Sequence, residues 1–171
     1  MNSYKADPVS RNDIKRFVRR IKEVTGFADD LYFPVIHFLE HILPVLVPEF
    51  RLEIIPKKEM GSKHGETFPN KNLIRIREDV YLRAYNGEGR DRLTIAHEIG
   101  HLFLHDNDSI ALCRLEPGEN IITYEDPEWQ ADCFGGELLA SSYLINNLSV
   151  DGIMKKCGVT KSAASVQKRN A

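Results

Sequence analysis

The segment His97-Glu98-Ile99-Gly100-His101 sets two imidazoles four residues apart with a carboxylate beside the first. On a helix such positions lie one above the other on one face, so both rings reach a single metal ion while Glu98 points beside them at a water on that ion. The pattern supplies two ligands and a general base for metal-assisted hydrolysis. Its surroundings decide its worth, because five residues recur by chance in long helices. Ile95, Ile99 and Leu102 form one apolar stripe and Leu93, Ala96, Gly100 and Phe103 another, which makes this helix apolar nearly all round and buried. Burying a polar group without a partner costs roughly 2–7 kcal/mol, and a metal ion removes that cost for three side chains together.

A catalytic zinc takes three protein ligands and leaves a fourth position to water. The metzincin pattern would place a third histidine where Asn107 stands and a glycine where Leu104 stands, which excludes that class. His105 continues the four-residue series, but it lies about 12 Å along the axis from His97 and reads as a helix C-terminal histidine. Glu128 is the better candidate. Asp126 followed by Pro127 is a helix start, which puts Glu128 in the first turn of a second helix. Asp132, four residues on and on the same face, can accept the free ring N–H of a ligating histidine and fix its orientation. An acidic residue at a helix N-terminus is also favoured electrostatically; the upstream motif tips Glu128 towards ligation.

The stretch Arg92 to His105, reading Arg-x-Thr-x-Ala-His-Glu-x-Gly-His-x-x-Leu-His, and the stretch Glu128 to Leu139 together resemble the ImmA/IrrE family of metallopeptidases. Gly135-Gly136 stands where that family usually has two alanines, and Ala140-Ser141 replaces its usual Met-Pro. Two such glycines weaken a helix by roughly 1 kcal/mol each relative to alanine, unless close packing compensates. The resemblance implies an α+β, zincin-like single domain: a small, mostly antiparallel sheet packed on helices that include the metal helix, with a short helical tail. It also implies a zinc-dependent endopeptidase with one protein substrate, a helix-turn-helix repressor of a mobile element or stress response.

On this reading zinc is held by His97, His101 and Glu128, with Asp132 behind one of the histidines, while Glu98 takes a proton from the attacking water and passes it to the leaving amine. Two histidines and a glutamate would also accept manganese or iron. Tyr124, Tyr143, Arg114 and His105 are candidates to donate to the oxyanion. Two rival readings keep the metal site: a transcription regulator in which Glu98 is dispensable, and a toxin-like component of a two-gene system.

A chain of 171 residues, 42% hydrophobic and 28% charged, suits one globular domain, and a formal charge of −2 argues against a dedicated nucleic-acid binder. Cys113, Cys133 and Cys157 are odd in number and irregularly spaced, and no signal peptide is evident, so a reducing cytoplasm is the expected home. No apolar run approaches the ~20 residues that span a bilayer.

Residues 1–148 read as the metal-binding domain and 149–171 as a tail of two short helices resembling half of a helix-turn-helix. Packing or substrate docking is favoured for it over DNA binding. Ser10 to Asp13 opens a first helix with Ile14, Phe17, Val18, Ile21 and Val24 on its buried face, and Lys15, Arg16, Arg19, Arg20 and Lys22 on a solvated one. A second helix, about 34–43, is bounded by prolines and carries His37-Phe38-Leu39-Glu40-His41, an inverted H-x-x-E-H pattern that reads as structural. Leu52 to Ile55 and Leu73 to Arg77 read as strands with a loop or hairpin between them. If Leu73 to Arg77 is an edge strand beside the metal helix, substrate could add to it, with Arg75 and Arg77 on one face favouring an acidic segment.

Overall fold

The computed structural model describes residues 4–105, 113–114 and 120–171, without the side chains of Tyr4, Cys113 and Arg114. After a short strand β1 (Tyr4–Lys5), α1 (Arg11–Thr25) opens at Ser10, whose hydroxyl accepts the Asp13 N–H while the Asp13 carboxylate accepts the Ser10 N–H. Gly26 closes it in the left-handed conformation, φ 83°. Ile14, Val18 and Ile21 are buried as expected, whereas Phe17 and Val24 are 37% and 57% exposed. Lys22 corrects the expected solvated face: it is fully buried. Position 22 lies four residues beyond Val18 and eight beyond Ile14, so it falls on the inward stripe, where its ammonium donates to Ser141 Oγ at 2.8 Å.

The second helix runs further than its prolines suggest, as α2 (Val35–His37), a π turn over Phe38–Ile42, and α3 (Leu43–Leu46). Pro44 has no N–H to give, and its ring would crowd the carbonyl four residues back. The wider turn relieves this, with the Leu43 N–H reaching the Phe38 carbonyl.

The central sheet holds β2 (Arg51–Ile55), β3 (Gly65–Phe68) and β4 (Leu73–Arg77), with α4 (Lys57–Met60) between the first two. Its order is β2-β4-β3. β4 runs parallel to β2 with Arg51 opposite Leu73, and antiparallel to β3 with Gly65 opposite Ile76. Of the two positions open to Leu73 to Arg77, edge or interior of the sheet, β4 takes the interior one. The edge beside the metal helix is β3, in the stretch expected to be a loop or hairpin. Arg75 and Arg77 are committed inside the protein, Arg75 to Glu53 at 2.7 Å and buried Arg77 to Asp79 and the Gly61 carbonyl.

From β4 the chain enters α5 (Glu78–Tyr85) and α6 (Gly89–Leu104), clamped by Arg83, which bonds Asp79 on α5 and Asp91 on α6. β5 (Cys113–Arg114) returns antiparallel to β1, so two of the three described ladders are antiparallel and the longest is parallel. Asp126 caps α7 (Pro127–Leu139) by accepting the Glu128 N–H at 2.9 Å, as the Asp-Pro signal implies. Then follow α8 (Ser142–Ile145), α9 (Val150–Cys157) and α10 (Lys161–Asn170), the last two capped by Ser149 and Thr160 and broken at Gly158. Ile74 and Ile76 of the sheet, Ile95 and Ile99 of α6, and Phe134 and Leu138 of α7 meet in one core. The fold is α+β.

Candidate metal centre

α6 and α7 lie so close together that a methyl group on Gly135 would stand 3.1 Å from the His97 backbone nitrogen, and one on Gly100 would stand 3.1 Å from Phe134 Cβ. This close approach compensates the low helix propensity of Gly135. It also carries Glu128, in the first turn of α7, over the two histidines of α6.

The His97 and His101 Nε2 atoms are 2.9 Å apart. Glu128 sets Oε2 at 3.2 Å from the first and Oε1 at 3.4 Å from the second. Among the described residues these three form a group whose ligand atoms all lie within 4.8 Å of one another. Behind His97, Asp132 Oδ1 is 2.7 Å from Nδ1. A carboxylate only accepts, so Nδ1 carries the proton. Burial would drive the His97 pKa down, but Asp132 and then Glu128 outweigh it and push it up to about 10. Glu128 is held far below its ordinary value by His101 and His97. A site that draws a proton onto a buried histidine in this way is one that wants a cation. Two imidazole nitrogens and one carboxylate oxygen, with a position left open, fit zinc.

The Peptidase M78 family model, the IrrE N-terminal-like domain, matches residues 51–150, more than half of the chain. The chain belongs to this family. No curated protein matches it. The part matched to the IrrE-type domain runs from β2 through α8, and so contains the three-stranded sheet, both metal-site helices and every residue named above for the centre.

In this IrrE-type domain Glu98 is 7% exposed beside the histidines. Burial raises its pKa, opposed first by a hydrogen bond from Thr67. The Thr67 hydroxyl lies 2.5 Å from Glu98 Oε2 and 3.1 Å from the Glu98 carbonyl. Two residues earlier on β3, Gly65 leaves no room for a side chain: a methyl group there would stand 2.6 Å from Glu98 Cγ. β3 thus packs its backbone against the acid. Together they border a cleft of about 350 Å³ whose walls include His64, Arg90, His97 and Asp132.

The five site residues expected from sequence are therefore brought together: His97, Glu98 and His101 on α6, Glu128 and Asp132 on α7. The oxyanion candidates are not. The Tyr143 hydroxyl donates to the Ala28 carbonyl at 2.5 Å, and neither it nor Tyr124 lines the cleft. The Arg114 side chain lies outside the described residues. His105 is buried at the C-cap of α6 with both ring nitrogens engaged, and burial, opposed by a bond to Gln130, pushes its pKa down to about 4, so the ring is neutral. The cleft offers His64 and Arg90 instead, which no spacing in the sequence marks. Among the described residues the inverted motif His37-Glu40-His41 gathers no third ligand: the Tyr81 hydroxyl donates to Glu40, and the segment follows the π turn.

Proposed function

We propose that this chain is a zinc-dependent endopeptidase that cuts one specific protein substrate, a helix-turn-helix repressor. The observation that carries the reading is the convergence of His97, His101 and Glu128 on one point, with His97, the buried Glu98 and Gly65 of the edge strand β3 lining one cleft. His97, His101 and Glu128 would hold the ion. When bound, zinc supplies Lewis-acid chemistry, lowering the pKa of water towards neutrality and polarising a carbonyl. Glu98 takes the proton of the attacking water and returns it to the departing amine. Burial suits it to this exchange, because a carboxyl with a raised pKa holds a proton long enough to deliver it. Thr67 keeps the carboxylate aimed by donating to one oxygen and leaving the other for the water. An extended substrate adds to the outer edge of β3 through backbone hydrogen bonds, which lays the peptide across the cleft.

The repressor as substrate is supported by the resemblance to ImmA/IrrE peptidases. The test is incubation of the purified, zinc-loaded protein with the helix-turn-helix repressor encoded beside it, with and without chelator, followed by mass spectrometry of the products. A single cut that chelator abolishes is expected. A repressor that stays intact with zinc present would contradict the substrate, and the regulator and toxin-like readings would gain.

A further inference from the structure

Gln130 is fully buried on α7, and its Nε2 donates one hydrogen to the Asp7 carbonyl and the other to the Tyr124 carbonyl, each at 2.8 Å. Both partners only accept, so the amide has one orientation, with Oε1 facing His105 Nε2 at 2.9 Å. Oε1 also only accepts, so His105 Nε2 carries the hydrogen. With a ring hydrogen placed on Nε2, His105 turns its Nδ1 to His101 Nδ1 at 2.8 Å, a separation at which one of the two nitrogens donates and the other accepts. A His101 that binds metal through Nε2 carries its ring hydrogen on Nδ1, so His101 is the donor and His105 Nδ1 the acceptor, and His101 Nε2 faces His97 Nε2 and Glu128. One chain of contacts thus runs from two backbone carbonyls to a metal-facing nitrogen.

We propose that His105 and Gln130 are positioning residues that hold the His101 imidazole in its metal-binding tautomer, the counterpart for His101 of what Asp132 does for His97. The inference rests on the metallopeptidase reading and names residues that the ligand set does not include. A partner behind a ligating histidine fixes the ring and raises its basicity, and losing such a partner weakens metal binding by roughly 10- to 100-fold. An uncharged partner does this without adding negative charge to a site that already holds Glu98, Glu128 and Asp132.

Two measurements test it. In the metal-free wild type, ¹⁵N chemical shifts of the imidazoles should show hydrogen on His101 Nδ1 and on His105 Nε2; hydrogen on His101 Nε2 alone overturns the inference without any variant. Zinc affinity is then measured by competition with a chromophoric chelator in the wild type, His105→Phe, His105→Asn and Gln130→Met, with circular dichroism reporting the fold. His105→Phe and Gln130→Met should bind zinc roughly 10- to 100-fold more weakly. His105→Asn, whose Oδ1 takes the place of Nδ1 as acceptor, should stay within a few-fold of the wild type. Equal affinity in His105→Phe, or no rescue by asparagine over phenylalanine, overturns the inference and leaves the metal reading standing. A wild type that binds no zinc overturns both.

Discussion

Glu98 and Glu40 each belong to a peptidase-like five-residue pattern, and their surroundings separate them. Glu98 sits beside two converging histidines with Thr67 behind it, whereas Glu40 accepts from Tyr81 in a segment that assembles no ligand group among the described residues. Glu98→Gln should lower the cleavage rate by a factor on the order of 10²–10⁴ while zinc stays bound, and Glu40→Gln should leave the rate unchanged. Full activity in Glu98→Gln, read by timed product analysis, would favour a non-catalytic role for the metal. The ligand residues were legible in the sequence because their signals are local: a four-residue helical repeat, and an Asp-Pro cap that fixes where Glu128 falls. Thr67 and Gln130 were not. Thr67 meets Glu98 from 31 residues away and Gln130 meets His105 from 25, and no local rule joins them.

On the proposed function β3 is the element on which substrate binding turns, and the sequence hid it. Four residues, Gly65 to Phe68, lie between a glycine-rich turn and Pro69, and their pairing with β4 is decided by the tertiary fold. The run Leu73 to Arg77 is apolar enough to announce a strand, but being buried on both flanks makes it central. At Gly65 the edge strand meets the base directly. Gly65→Ala places a methyl group 2.6 Å from Glu98 Cγ, and the acid, the movable partner, must turn away from its position beside Thr67. The variant should keep its zinc and lose at least tenfold in cleavage rate, since general-base geometry is worth 10²–10⁴. Lost zinc together with lost activity, in a metal analysis beside the same assay, would instead mean that β3 supports the ligands. The close seating of α7 on α6 was half visible: the glycine pair left open either a weakened helix or close packing, and the structure shows Gly135 against the α6 backbone and Gly136 against the Gln167 side chain.

Across the whole molecule, segments outside the family match are built into the same body. Arg92, at the start of the metal helix, is buried and donates to the carbonyls of Phe33, Cys157 and Gly158, tying α6 to the tail. Gln167 of α10 donates to Glu137 of α7. Among the described residues no helix is long and apolar enough to cross a membrane. Lys22 joins α1 to this interior, and its burial pushes the ammonium down from 10.5 to about 8, against the opposing pull of Glu137. Between those two pH values the unfolded chain holds a proton that the folded chain lacks, so the contribution of Lys22 to stability rises with pH across that window and is lost as pH falls through about 8. In urea unfolding, the difference between wild type and Lys22→Met should move in favour of the wild type by up to roughly 3 kcal/mol from pH 8 to 10.5; a flat difference would mean that the ammonium is solvated. The central claim is that α6 and α7 together build a zinc site. Metal content by mass spectrometry, on wild type and Glu128→Gln purified without chelator or a histidine tag, tests it most directly. The account predicts about one zinc per chain in the wild type, by the ligand count of a catalytic site, and a sharp fall in the variant. No zinc in the wild type, or the same zinc in both, would contradict it.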